Sequence, residues 1–324
     1  MKNGHGSTVF GDGNKGSFDL VIKNLSSGQE AQLSMMLLTD YLKETFGCKV
    51  YKIALNGGFT CPNRDGTIDT NGCIFCSAGG SGEFAADPSK PVPDQIEEGK
   101  KLVSDKIKGD GKYIAYFQAY TGTYAPVDRL RKLYSEALSH PDVVALSIAT
   151  RPDCLGNEVL ELLSEMQKIK PVWVELGLQT IHPGSAEYIR RGYALSVYDE
   201  AVKELRQRNI EVIVHVILGL PGESEDDMVD TVRYVCNSGA TGIKLQLLHV
   251  LSGTSLEKDY EAGEFEVLTE DEYIGILKKC VKVIPENVVI HRLTGDGDKK
   301  ILIAPEWSKD KKHVLNRIKR EVLR

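Results

Sequence analysis

The sequence predicts an α/β fold, a partial (β/α)6 barrel whose parallel strands carry a functional site at their C-terminal ends. Three observations lead there. Short β-prone runs alternate with helix-length amphipathic segments from Lys49 onward, the pattern of parallel strands joined by right-handed helical crossovers. Polar residues recur in the later half of nearly every strand. A doubly wound sheet buries both faces and has no need of them, whereas a barrel with its site at the mouth does. Finally, a loop carrying three cysteines follows the first strand.

The first strand is Val50–Leu55, and a loop rich in Gly, Asn, Pro and Asp follows it to about Pro93. Helical character resumes over Gln95–Lys108. Strand Tyr113–Ala119, helix Val127–Ser139, strand Val143–Ala149 and helix Asn157–Lys168 come next. Strand Val172–Leu178, helix Val197–Arg208, the Ile/Val-rich strand Ile210–Leu218 and helix Glu225–Ser238 continue the alternation. Strand Gly242–Leu248, helix Glu270–Val283 and a short strand Val288–Arg292 end it. Residues 1–40 are read as an N-terminal extension, glycine-rich and without a periodic core face before about Leu33. Residues 41–285 form the barrel, with the cysteine loop over 56–85, and residues 286–324 a C-terminal extension covering the mouth.

Side chains alternate faces along a strand. Tyr116, Gln118 and Tyr120 therefore share one face, Glu175 and Gln179 another with Gly177 between them, and Lys244 and Gln246 a third. His215 interrupts a Val/Ile run. Taken singly, each polar residue could cap a neighbouring loop; taken together, they outline a shared site.

Composition narrows the function. The chain has 324 residues, 46 acidic against 40 basic, for a net charge of −6. Such a chain has no global field drawing it to nucleic acid or anionic membranes. No uncharged apolar run approaches the roughly 20 residues that span a bilayer, and the N-terminus lacks the apolar core of a signal peptide. Seven unevenly spread cysteines do not make a secreted disulfide scaffold. A cytoplasmic protein with reduced thiols is expected. The basic residues near the C-terminus, Lys309 to Arg324, read as a solvated face.

Cys61, Cys73 and Cys76 stand eleven and two residues apart. Thiolates are soft ligands for zinc or iron–sulfur clusters. A structural zinc site wants four closed ligands, and this loop holds three, with Cys48 on the far side of the first strand. Three thiolates suit a [4Fe-4S] cluster with one open iron, and a zinc knuckle or three unrelated thiols stand beside it as alternatives. Cys154, Cys236 and Cys280 read as small buried apolar residues.

The cysteine loop after the first strand, with Phe75 just before its last cysteine, resembles the radical S-adenosylmethionine superfamily. The eleven-residue spacing departs from the three-residue spacing most common there. It is similar to one bacterial branch related to the catalytic subunit of Elongator and to coproporphyrinogen dehydrogenase. The segments Gly57-Gly58-Phe59-Thr60-Cys61-Pro62-Asn63-Arg64-Asp65-Gly66, Tyr116-Phe117-Gln118-Ala119-Tyr120-Thr121, Thr150-Arg151-Pro152-Asp153-Cys154, Glu175-Leu176-Gly177-Leu178-Gln179-Thr180, Gly219-Leu220-Pro221-Gly222-Glu223 and His291-Arg292-Leu293-Thr294-Gly295-Asp296-Gly297 carry the likeness. It runs from about Tyr41 to Trp307 and leaves residues 1–33 uncovered.

The resemblance implies a [4Fe-4S] cluster, S-adenosylmethionine on its open iron, and a 5′-deoxyadenosyl radical that takes hydrogen from a substrate. It also implies roles. Glu175 would accept from the ribose hydroxyls, the alternative being an ion pair. Arg191 would hold the methionine carboxylate through its planar fork, with Arg190 as its competitor. Gln118 would meet the amino group, and Phe75 with the Ile217–Pro221 segment the adenine. His215 stands where coproporphyrinogen dehydrogenase has an acidic residue, either as a second ribose contact or as a satisfied core histidine. Tyr120, Gln179, Lys244, Gln246 and His249 are expected on the substrate side, with Asn63 and Arg64 within reach of either ligand. Lys244 in a lumen needs a carboxylate or a bound anion beside it.

The branch also resembles queuine lyases, which release the cyclopentenediol from a 7-deazaguanine base. A small-molecule substrate such as queuine and a reductant such as flavodoxin or ferredoxin are therefore expected. Two alternatives stand beside this reading. One is a tRNA-modifying enzyme, which would need an appended domain where fewer than twenty residues follow Trp307. The other is a zinc-stabilised binding module.

Overall fold

Helix α1 (Leu38–Phe46) leads into β1 (Val50–Leu55) in the computed structural model, which describes residues 35–107, 111–295 and 297–323. The glycine-rich arm read over residues 1–33 lies outside the described residues. After β1 come α2 (Val92–Val103), β2 (Lys112–Phe117), α3 (Val127–Ser139), β3 (Val143–Thr150), α4 (Asn157–Gln167) and β4 (Val172–Gln179). Two helices, α5 (Pro183–Tyr188) and α6 (Leu195–Gln207), lead to β5 (Glu211–Leu218), α7 (Glu225–Asn237) and β6 (Gly242–Leu247). The chain ends with β7 (Val250–Leu251), α8 (Ser255–Glu261), α9 (Glu270–Val281), β8 (Val289–Arg292), β9 (Leu302–Ala304) and α10 (Lys311–Glu321).

Seven strands pair in parallel in the order β1-β2-β3-β4-β5-β6-β8, so the expected alternation holds, with β8 standing where the short last strand was expected. A separate antiparallel pair, β7 with β9, was not expected from the sequence; strands of two and three residues are too short to show a period. The outer face of the sheet is apolar. Ile53, Phe117, Ile148, Val174, Val214 and Leu245 pack there against helical residues such as Leu130, Leu162, Val202 and Val232. The sheet curls into a half-barrel, because Lys52 on β1 meets Glu175 on β4 across its concave side.

The concave side is built in layers by the strand register. At the N-terminal end Val50, Ile114, Ala145, Trp173 and Ile213 form an apolar plug with Leu42 of α1. Two residues further along each strand stand Lys52, Tyr116, Ser147, Glu175, His215 and Lys244, with Arg292 paired to Lys244 in register. Two further still come Ala54, Gln118, Ala149, Gly177, Ile217 and Gln246. Three of these are Ala or Gly, and their small size leaves a cavity above the polar layer. Cys48 packs beside the plug, at the end remote from the cavity.

The basic C-terminal helix docks by one face and turns Lys312, Lys319 and Arg320 outward, in keeping with a solvated face. Val314 and Ile318 of α10 are buried, and Arg317 pairs with Glu270 and Asp271 of α9.

Candidate active site

Glu175 is the centre of the polar layer. Its Oε1 accepts from Lys52 Nζ at 2.5 Å and Ser147 Oγ at 2.7 Å. Its Oε2 accepts from His215 Nε2 at 2.7 Å and from Lys244 Nζ. Four donors fill the four acceptor positions of a carboxylate. Of the two roles expected for Glu175, the ion pair is the one its contacts within the protein display, with Lys52, Ser147, His215 and Lys244 all donating to it. Burial works against its charge, but Lys244, Lys52 and His215 outweigh burial and hold the carboxyl well below its usual range. One carboxylate serves two ammoniums, and the surplus positive charge falls on Lys244. Burial, with Lys52 and Arg292 nearby, pulls that lysine down to about 7 despite Glu175.

His215 fits the core-histidine alternative. Nε2 faces Glu175, and Gln246 Nε2 lies 2.9 Å from Nδ1. Burial first, then Lys244, lowers the imidazole to about 4. It is thus neutral, carrying its proton on Nε2 and accepting from Gln246 at Nδ1.

Above this floor the cysteine loop closes over the strand ends. Cys61, Cys73 and Cys76 are free thiols lining the same cavity as Glu175, His215 and Lys244. Burial pushes the Cys73 thiol up to about 12. Burial also raises Cys76, with the Arg64 guanidinium acting in the opposite direction. Several residues expected on the substrate side instead build this loop. Asn63 is 1% exposed and outside the cavity wall; its Nδ2 donates to the Arg190 carbonyl at 2.8 Å and reaches Cys73 Sγ at 3.5 Å. Arg64 donates to the carbonyls of Cys76 (2.7 Å) and Ser77 (2.6 Å). Tyr120 donates its hydroxyl to the Ala78 carbonyl at 2.5 Å and lays its ring on Gly80. Gln118 Nε2 binds the Ser81 carbonyl at 2.8 Å, leaving Oε1 as an acceptor toward the cavity. The sequence could not separate these roles, because loop contacts pair residues far apart in the chain.

Phe75 and Ile217 share one apolar cluster at the cavity wall, which brings together the two sides of the expected adenine slot. Arg191 is 4% exposed and lines the cavity, whereas Arg190 is exposed and outside it. Most of the Arg191 donors are engaged: Nη1 binds the Thr180 and Leu178 carbonyls at 2.6 and 3.3 Å, and Nε and Nη2 share the Tyr193 carbonyl. One N–H of its five has no carbonyl among these contacts. Gln179 lines the cavity from a left-handed backbone (φ 67°) at the shifted end of β4. His249 lines it from beyond β6, with Gly295 and Gly297 laid against its ring.

Sequence reasoning missed Arg151. This residue is 8% exposed, holds Asp153 through Nε (2.9 Å) and Nη2 (2.7 Å), and stands among Cys61, Cys73 and the Tyr193 ring. Its signal was the Thr150–Cys154 segment, to which no role had been attached.

A parallel half-barrel with a three-cysteine loop over its C-terminal mouth and a polar layer beneath defines a cofactor-dependent barrel enzyme. The chain belongs to the radical SAM superfamily: the family description "Radical SAM superfamily" matches residues 66–235, and "Radical_SAM C-terminal domain" matches residues 240–324. It is 46% identical over 285 residues to the uncharacterized protein YtqA of Bacillus subtilis, covering 88% of each chain. It is 37% identical over 271 residues to protein YhcC of Escherichia coli, covering 83% of this chain and 86% of that one. In fold it is similar to the archaeal Methanocaldococcus infernus Elp3 with an N-terminal deletion, with TM-score 0.64 and 17% identity over 86% of this chain and 64% of that chain.

The family's cofactors are a [4Fe-4S] cluster and S-adenosylmethionine, and the residues fit them. Three thiols face one cavity with the Arg64 and Arg151 guanidiniums beside them, charges that compensate thiolates. Among the described residues no three His, Cys, Asp or Glu side chains close on a single metal ion. No helix among the described residues is long and apolar enough to cross a membrane.

Proposed function

We propose that Cys61, Cys73 and Cys76 hold the cluster and that a small polar substrate binds between it and the floor formed by Glu175, His215, Lys244 and Gln246. Together the cluster and S-adenosylmethionine supply a 5′-deoxyadenosyl radical for hydrogen abstraction. The protein's own residues do the rest. Phe75 and Ile217 offer the apolar walls for adenine, Gln118 Oε1 an acceptor for the amino group, and the open N–H of Arg191 a donor for the carboxylate. The observation that carries this reading is that the three thiols and the polar layer open into one cavity. Shelter from water favours radical chemistry, and a barrel mouth lined by β-strand ends supplies it.

The finer reading is a lyase acting on queuine. Its support is the resemblance, together with the amide side chains of Gln118, Gln179 and Gln246 around the cavity. The test is anaerobic incubation of the reconstituted, reduced protein with S-adenosylmethionine and queuine, followed by mass spectrometry. Formation of 5′-deoxyadenosine together with the freed base supports the lyase. Formation of 5′-deoxyadenosine with queuine intact removes the lyase and keeps the radical enzyme. No 5′-deoxyadenosine from a cluster-loaded sample removes both.

A further inference from the structure

The cavity is unbalanced in charge. Its described lining includes five basic side chains, Arg64, Arg151, Arg191, Lys244 and Arg292, against two acidic ones, Glu83 and Glu175, although the whole chain carries −6. The three arginines at the cysteine end have thiolates, Asp153 and backbone carbonyls to meet. The floor is different. Lys244 is 5% exposed, and Glu175 is its hydrogen-bond acceptor. That carboxylate is already held by Lys52 from the far side of the barrel. Both ammoniums also flank the Tyr116 ring, at 5.0 and 4.9 Å from its centroid. An ammonium has three donors, and among the described residues Glu175 is the acceptor recorded for Lys244. His215 contributes no charge, because it is neutral. When both ammoniums are protonated, Lys52 and Lys244 bring one positive charge more than the Glu175 carboxylate meets, and it falls at the base of the cavity. A buried surplus charge is costly until a counter-ion meets it.

We infer that the substrate presents an anionic group, a carboxylate or a phosphate, to Lys244 at the floor of the lumen. This rests on the reading of the cavity as a substrate site. It places acidic compounds ahead of uncharged bases. A guanine-like edge offers N–H donors that want an open carboxylate, and Glu175 is closed by four donors.

The experiment is calorimetric titration of the full-length, cluster-loaded protein, saturated with S-adenosylmethionine, with inorganic phosphate, with succinate and with uncharged succinamide. Saturable binding of phosphate or of succinate, without binding of succinamide, is expected, and the better of the two anions tells phosphate from carboxylate. Lys244→Met should weaken that binding about tenfold or more, the loss of one charge-assisted contact, and Lys244→Arg should retain it. Lys52→Met leaves the Lys244–Glu175 pair intact and neutral, so it tests the surplus charge without stranding a buried group; it too should weaken anion binding. Absence of saturable binding of either anion to the unaltered protein, or binding unchanged in both Met variants, overturns the inference. 5′-Deoxyadenosine release measured on the same preparations keeps the two readings apart. Its presence without anion binding sinks this inference alone, and its absence sinks the radical reading beneath it.

Discussion

Lys52 on β1 and Glu175 on β4 meet across the concave face of the sheet, Nζ to Oε1, at 2.5 Å. In a flat parallel sheet, strands three places apart stand about 14 Å from one another. The contact is therefore a product of the curl, and it ties the first half of the barrel to the second. Lys244, two strands beyond β4, closes on the same carboxylate.

That convergence makes Glu175 the side chain whose loss should matter most. Glu175→Gln keeps the shape and strands two ammoniums, and removing one partner of a buried pair costs about 3–5 kcal/mol. Ser147→Ala removes one neutral donor and should cost about 1 kcal/mol. Urea unfolding followed by circular dichroism measures both. Equal losses in the two variants would show that the carboxylate is not what balances the lumen.

Acid should destabilise the protein through His215. Burial holds its folded value at about 4, below the ordinary 6.5. Between those values the unfolded chain takes up a proton there and the folded chain does not. Stability from this group is thus complete above pH 6.5 and falls as the pH drops toward 4, with a slope approaching about 1.4 kcal/mol per pH unit. Glu175, held low, adds a loss of the same sign at lower pH. His215→Asn should flatten the curve in the upper window; a curve parallel to that of the unaltered protein would contradict the assignment.

Iron loading should follow the three loop cysteines. Cys61→Ala, Cys73→Ala and Cys76→Ala are each expected to lose iron, sulfide and visible absorbance after anaerobic reconstitution. Cys48→Ala, at the opposite end of the barrel, and Cys236→Ala, packed against the outer core, should keep them. Retention of a full cluster in any of the first three would remove that residue from the ligand set.

The cysteine loop is locked in place at Gly82. A Cβ there would stand 2.5 Å from the Cβ of Ala119 and 2.9 Å from its Cα, and that backbone cannot yield. At Gly79 the nearest atom, at 3.3 Å, belongs to the flexible Glu83 side chain. Gly82→Ala should cost about 1–3 kcal/mol by overpacking and lower the iron content, while Gly79→Ala should stay within about 0.5 kcal/mol. Thermal unfolding and iron analysis of the pair check this.

Much of the fold was legible because parallel strands and their helices repeat a simple pattern. Buried strands are continuous apolar runs, and the polar residues that break those runs, Glu175, His215 and Lys244, face the lumen as their spacing required. The short pieces were not legible. Helix α5 has six residues and β7 two, too few for any periodicity to emerge. Helix α1 straddles the boundary drawn at residue 40 and went unassigned, since its apolar face has meaning only against Trp173 and Val50, which come later in the chain.

The sequence by itself determined the chemistry available. Three thiols at Cys61, Cys73 and Cys76, set in a loop after the first strand, pointed to a thiolate-bound centre, zinc or cluster, because ligand type and order along the chain are local facts, and the wider resemblance chose the cluster. The tertiary structure decided who partners whom. It assigned Asn63, Arg64 and Tyr120 to the cysteine loop, brought Arg151 to the cysteines, and closed Glu175 with donors from β1, β3, β5 and β6. The reason is physical. A carboxylate's role depends on how many donors reach it, and the donors on Glu175 come from strands that only the curl of the sheet brings together.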